Sequence, residues 1–177
     1  MHKRVLSLLL ALSLLSVPAL AAENSTENFT RVKTYAGQFS DLPESDVFYE
    51  NVSALYEYGL SVGQADGTYG LTQHMTVGQT VIFAGRIRSL YRTGDPEAGP
   101  AAFTAAAVGL KDAQRVYAPY LWYLQSEGVL DKALDSLLSQ TATRAQMAHV
   151  LAGLLPDEAL PAVNDSLVTQ AYASRRF

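Results

Sequence analysis

The segments Thr76-Val77-Gly78-Gln79 and Thr143-Arg144-Ala145-Gln146 share the order Thr-x-x-Gln, and each stands ahead of an apolar run with helical spacing. In such a box the threonine oxygen takes the glutamine amide and the glutamine side chain takes the threonine amide, so a helix starts there. Val81, Ile82, Ile87 and Leu90 then give the first of these helices a buried side, and Met147, Val150, Leu151 and Leu154 give one to the second. A second shared signal lies upstream. Gly59 and Gly128 fall just past shorter apolar stripes, Phe48, Val52, Leu55 and Tyr56 in one case and Tyr117, Leu121 and Leu124 in the other. A helix end needs a left-handed residue there, which glycine supplies without a steric penalty. The glycine-to-threonine intervals differ by two residues, so the chain reads as two helix–loop–helix units, residues 39–92 and 112–156. One such hairpin cannot bury its apolar face alone. The expected fold is therefore all-α, with the tandem units packed together as a helical bundle.

Ahead of the units, Met1 to Arg4 is basic, Val5 to Val17 is an apolar run rich in leucine, and Pro18 precedes Ala19-Leu20-Ala21. That is the order of a cleaved signal peptide, residues 1–21, with Ala22 the next choice of cleavage site. The apolar run is short for the roughly 20 residues of a membrane span, and no later stretch is long or apolar enough to be one. An exported protein is expected. Residues 22–38 are polar and read as a flexible lead-in, residues 93–111 as a linker, and residues 157–177 as a C-terminal connector. Within the linker, the alanine-rich stretch Ala101 to Val108 either forms an extra helix or lies irregularly, and Leu167 to Tyr172 is a candidate short helix.

Charge and composition narrow the function classes. The formal charge is -4 from 13 basic and 17 acidic residues, and it falls to -6 once Lys3 and Arg4 leave with the leader. A nucleic-acid partner would demand a concentrated basic face, so none is expected. Simple electrostatic adhesion to an anionic polymer is disfavoured for the same reason, and any such binding requires a shaped pocket. The absence of cysteine excludes disulfides, thiolate catalysis and thiolate metal sites.

The two units resemble the S-layer homology (SLH) repeat of bacterial cell-surface proteins, which reads F-x-D-V, an aromatic and a helix, G-I-x-x-G, D-G-T-F-x-P, then I-T-R-A-E opening a second helix. The first unit matches with Phe39-x-Asp41-Leu42, Gly59-Leu60, Gly63, Asp66-Gly67-Thr68-Tyr69 and Met75-Thr76 before Gln79. The second matches with Gly128-Val129 and Thr143-Arg144-Ala145 before Gln146. Together the matches cover roughly half of the chain. Departures are specific. In the first unit Leu71 stands for the proline, Val77 for the arginine and Gly78 for the alanine, while the second has Asp131-Lys132-Ala133-Leu134-Asp135 in place of the D-G-T-F loop. Family members usually carry three repeats, and two are visible here.

The resemblance implies non-covalent attachment to a secondary cell wall polysaccharide, often one bearing an acidic pyruvate ketal, at the bacterial cell surface. It also implies Arg144 as the glycan-binding residue, with Thr143 shaping the cap. An arginine suits that task because its fork of donors grips a carboxylate in two places beside a helix N-terminus that favours anions. The bland reading of Arg144 is a solvated first-turn residue, and the competing function is an exported structural or assembly protein whose repeats pack against other surface proteins.

No catalytic residue, cofactor or metal site is expected. His74 and His149 have no His or Cys at ligand spacing and read as surface or half-buried residues. Asp66-Gly67 lacks the alternating acidic residues of a calcium loop and reads as a turn. No G-x-S-x-G elbow, phosphate loop or spaced carboxylate pair occurs. Trp122 and the tyrosines Tyr49, Tyr56, Tyr58, Tyr117, Tyr120 and Tyr123 have faces that stack on sugars, but core or subunit packing is the commoner use of such rings.

Overall fold

The computed structural model describes residues 24–160, so the leader, its cleavage site and the candidate helix at Leu167–Tyr172 lie outside the described residues. Within them the fold is all-α: α1 (Tyr49–Glu57), α2 (Val77–Thr93), α3 (Ala98–Ala107), α4 (Asp112–Ser126) and α5 (Arg144–Leu151). Short 3-10 turns at Thr26–Asn28 and Asp157–Ala159 flank them. No described helix is long and apolar enough to cross a membrane.

The helix ends follow the local chemistry. Gly59 and Gly128 hold left-handed φ angles of 69° and 68°. The amide after each glycine donates back to the same point of its helix, Leu60 to the Leu55 carbonyl at 2.9 Å and Val129 to the Leu124 carbonyl at 3.0 Å. These are six-to-one bonds of the kind that close a helix on a glycine. Both capping boxes are complete. Gln79 donates to Thr76 Oγ1 at 3.1 Å while Thr76 donates to Gln79 Oε1 at 2.8 Å. Thr143 and Gln146 repeat the exchange at 3.2 and 2.8 Å.

α2 is the central helix and packs against α3, α4, α5 and the first 3-10 turn. Its Val77, Val81 and Ala84 meet Leu121 and Leu124 of α4, Leu130 and Leu134 of the following loop, and Val150 and Leu154 at and beyond α5 in one core. Thus the second helix of the first unit is buried in the second unit. The front of the first unit forms a separate aromatic cluster, with Phe39, Leu42 and Val52 at its centre and Tyr35, Tyr49, Tyr56 and Tyr69 around them. Phe48, expected in the α1 stripe, instead precedes the helix as its N-cap and is 55% exposed.

Three tyrosines of α4 at three-residue steps explain where glycine is needed on the neighbouring helices. A Cβ on Gly78 would lie 2.7 Å from the Tyr117 ring, one on Gly85 3.0 Å from Tyr120, and one on Gly99 2.4 Å from Tyr123. Close helix approach therefore leaves no room for a side chain at Gly78 and Gly99, and at Gly85 only as much as a small shift of Tyr120 would open. At Gly78 the aromatic ring of Tyr117 occupies the space that a methyl group would need. The tyrosines of α4 are packing residues, as are Tyr49 and Tyr56, and Trp122 rests half-buried on the main core.

Two segments differ from the reading of the sequence as connector. The polar lead-in is tied down: Val32 and Lys33 donate to the Glu57 carbonyl, Arg31 pairs with the Glu57 carboxylate at 3.2 Å, and buried Asn28 donates to the Tyr91 carbonyl at 2.9 Å. Its polar side chains and amides satisfy the open C-terminal carbonyls of α1 and α2, which composition alone does not reveal. In the stretch 93–111 the helical option is realised, and it starts earlier than expected, at Ala98. Alanine is the best helix former, and Pro100 sits in the first turn where its missing amide costs nothing.

Candidate functional site

Two helix starts and one loop carry the residues that the sequence singled out. The first-unit loop is organised by Asp41. Its carboxylate accepts the amides of Tyr69 at 2.6 Å, Gly70 at 2.8 Å and Leu71 at 3.3 Å. The Tyr69 amide above all holds the Asp41 carboxyl below its ordinary range; burial opposes this, and the Gly70 and Leu71 amides add to it. Leu71 in the proline position thus supplies an amide that proline lacks. Asp66 in turn accepts the hydroxyl and amide of Thr68 at 2.7 and 3.0 Å, and those bonds lower its carboxyl as well. The D-G-T-Y loop is a self-satisfied turn in which both carboxylates are spent on backbone and hydroxyl donors.

The start of α2 is sealed by the chain itself. Val77 and Gly78 donate to the carbonyls of Gln140 and Leu138 at 2.9 and 2.8 Å, and Ala142 donates back to the Met75 carbonyl at 2.8 Å. Around them Thr76 and Thr141 form an antiparallel bridge. Every amide of the first turn has a partner, and the Val77 side chain is fully buried in the main core. An arginine at that position would have no route to solvent, which gives the physical reason for valine there.

The start of α5 has the same box and the opposite surroundings. Thr143, Arg144 and Ala145 are exposed. Among the described residues, neither the Arg144 guanidinium nor the amides of Arg144 and Ala145 meet an acceptor. Two unspent amides and a guanidinium therefore stand together at the positive end of a helix. Among the described residues, Arg144 makes no hydrogen bond or ion pair with the D-G-T-Y loop, although that loop and the later turns of α5, at Met147 and Leu151, line one groove.

Two partly buried arginine clusters, not singled out by the sequence, fasten the bundle. Arg88 donates to the Glu127 carboxylate at 3.1 Å and to the Leu154 carbonyl at 2.9 Å, joining α2, α4 and the exit of α5. Arg86 binds Glu97 at 2.8 Å, and the Tyr120 hydroxyl donates to the same carboxylate at 2.6 Å. Burial, reinforced by the bond to Glu97, pushes the Tyr120 hydroxyl up to about 12, and burial raises Tyr123 to about 12. His149 lies 3.9 Å from Asp131, both exposed, and no three His, Asp or Glu side chains among the described residues gather as a metal site would require.

A groove of about 690 Å³ opens between the units, walled by α1, α2, α4 and α5 with Met75 at its rim. No protein-family model, curated protein or solved structure matches the chain.

Proposed function

We propose that the chain is a non-catalytic anchoring module that holds an acidic cell wall polysaccharide, at the bacterial surface, through the exposed start of α5. The observation that carries this reading is the arginine-bearing helix start whose first amides are uncommitted among the described residues. A carboxylate such as a pyruvate ketal would accept two parallel bonds from the Arg144 fork while its charge faces the helix N-terminus. Thr143 fixes the direction of that first turn through its box with Gln146. The net charge of -4 means that a shaped contact, rather than bulk attraction, must provide the affinity. The leader-like residues 1–21 and the resemblance to SLH repeats support an exported, wall-facing location.

The test is co-sedimentation of the secreted protein with isolated wall sacculi carrying intact polymer. Wild-type protein is expected in the pellet and Arg144→Ala in the supernatant. Wild-type protein left in the supernatant at both low and high salt would overturn the reading.

One observation favours a second reading, in which the helix start receives a protein loop. The equivalent start of α2 already does so, taking the carbonyls of Gln140 and Leu138. A surface assembly protein would use the α5 start in the same way, and self-association without sacculus binding would identify it.

A further inference from the structure

The two units pack unequally, and the inequality leaves two matching faces uncovered. Counted from the closing glycines Gly59 and Gly128, Phe48, Asn51, Val52 and Leu55 of the first unit stand where Tyr117, Tyr120, Leu121 and Leu124 stand in the second. In α4 those four side chains face α2: the Tyr117 ring lies at Gly78, Tyr120 lies at Gly85, and the two leucines share a core with Val81 and Ala84. α1 turns the equivalent four to the groove between the units, where Phe48 is 55% exposed. Among the described residues α1 shares no extended contact with another helix. The second face is on α5. Counted from the capping threonines, Ala145, Ala148, Leu151 and Ala152 stand where Gly78, Val81, Ala84 and Gly85 stand in α2. All four are buried in α2, and all four are exposed in or just past α5.

We infer that the protein forms a two-fold dimer in which α1 of each copy packs on α5 of the other, repeating between chains the contact that α4 makes with α2 inside each. A second copy is the partner because every chain carries both halves of that contact. Two copies then satisfy one another and leave neither face over, which is the closed arrangement that most paired subunits adopt. The halves fit in size. Asn51 is shorter than the Tyr120 that it stands for, and it meets Ala152 where α2 has glycine, so the extra methyl takes room that a ring fills inside the chain. They fit in charge as well: the groove lining has no carboxylate, and its one arginine, Arg86, is already held by Glu97 at 2.8 Å. Burial there strands no ion. Among the described residues, five of the nine exposed large hydrophobic side chains, Phe48, Val62, Met75, Val116 and Leu151, line this groove. Gathered in one concavity, they mark a surface built to be covered. Dimerisation of this kind needs no polysaccharide, so it stands or fails apart from the anchoring role.

The experiment exploits a chain without cysteine. Phe48→Cys and Ala145→Cys are made as separate variants of the full chain, both at exposed positions, and circular dichroism checks that each keeps its helices. Phe48 and Ala145 stand for the touching pair Tyr117 and Gly78, so a mixture of the two variants should form a disulfide-linked dimer several-fold faster than either variant alone. Sedimentation equilibrium on the unaltered chain should show the mass rising to that of two chains across a concentration series. Ala148→Glu, a charge at an exposed point of the α5 face, should return it to one chain while the helix content stays unchanged. A single-chain mass at every concentration would overturn the inference. So would a dimer that Ala148→Glu leaves intact, or cysteine variants that link no faster mixed than alone. No sacculus is present in any of these measurements, so a failed dimer and a failed anchor are read separately.

Discussion

The starts of α2 and α5 carry the same Thr-x-x-Gln box with the same reciprocal bonds, yet one is interior and the other faces solvent. At α2 the first-turn amides meet the carbonyls of Gln140 and Leu138, and Val77 is fully buried. At α5 the residue in Val77's place is exposed Arg144, and among the described residues its amide and that of Ala145 meet no acceptor. The difference teaches that the box decides only where a helix begins. What the helix start then does is decided by which loop lies over it.

Exchanging the two residues is the strongest way to break that comparison. Val77→Arg places an unpaired charge in the main core and should cost about 3–5 kcal/mol, read as a large fall in the urea midpoint or as failure to fold. The reverse change, Arg144→Val, should alter stability by no more than about 0.5 kcal/mol. Equal effects would mean that the two starts are equally buried. Next in size is Gly78→Ala, whose new methyl would lie 2.7 Å from the Tyr117 ring. Overpacking of this kind costs about 1–3 kcal/mol, and a paired Tyr117→Leu should recover part of the loss.

Loss of either cap should matter to a similar degree. Thr76→Ala and Thr143→Ala each remove one helix-capping bond, at a cost of about 1 kcal/mol, measurable by denaturant titration. Only the second should also weaken sacculus binding, since only that start is open.

The titrations, whose effects are confined to the acid and alkaline limits, sharpen the contrast between the aromatic cluster of the first unit and the main core. Asp41, in the former, has a folded-state pKa below its unfolded value near 3.8. Its contribution is therefore present above that value and is lost as pH falls through the lower folded one. Asp41→Asn should flatten this acid limb. Tyr120 and Tyr123 of α4 move the other way, from 10.0 to about 12. Their contribution is full below pH 10 and is lost as pH rises towards about 12, because the unfolded hydroxyls ionise first. Tyrosinate absorbance should show two tyrosines titrating late, and Tyr120→Phe should remove one of them.

What the sequence made legible was the chemistry that acts within a few residues. The glycine ends at Gly59 and Gly128 and both capping boxes could be placed because each involves neighbours in the chain. The all-α class followed from them. What it did not make legible depends on distant partners. That Val77 is interior follows from the loop at Leu138 to Gln140, some sixty residues away in the chain. The lead-in read as flexible because Asn28 and Arg31 are polar, yet they complete the helix ends at Tyr91 and Glu57. The choice of glycine at position 78 makes sense only beside Tyr117, although an aromatic every third residue in α4 facing glycines elsewhere was a signal open to inspection. Of the candidate site, Arg144 and Thr143 were visible as residue types; their exposure was not, because nothing near them in the chain sets it.

Amide hydrogen exchange, read residue by residue on the folded protein, tests the central contrast most directly. The amides of Val77 and Gly78 should be protected by their bonds to Gln140 and Leu138, with rates well below those of an open chain. The amides of Arg144 and Ala145 should exchange at nearly open-chain rates. Matching protection at the two helix starts would contradict the account.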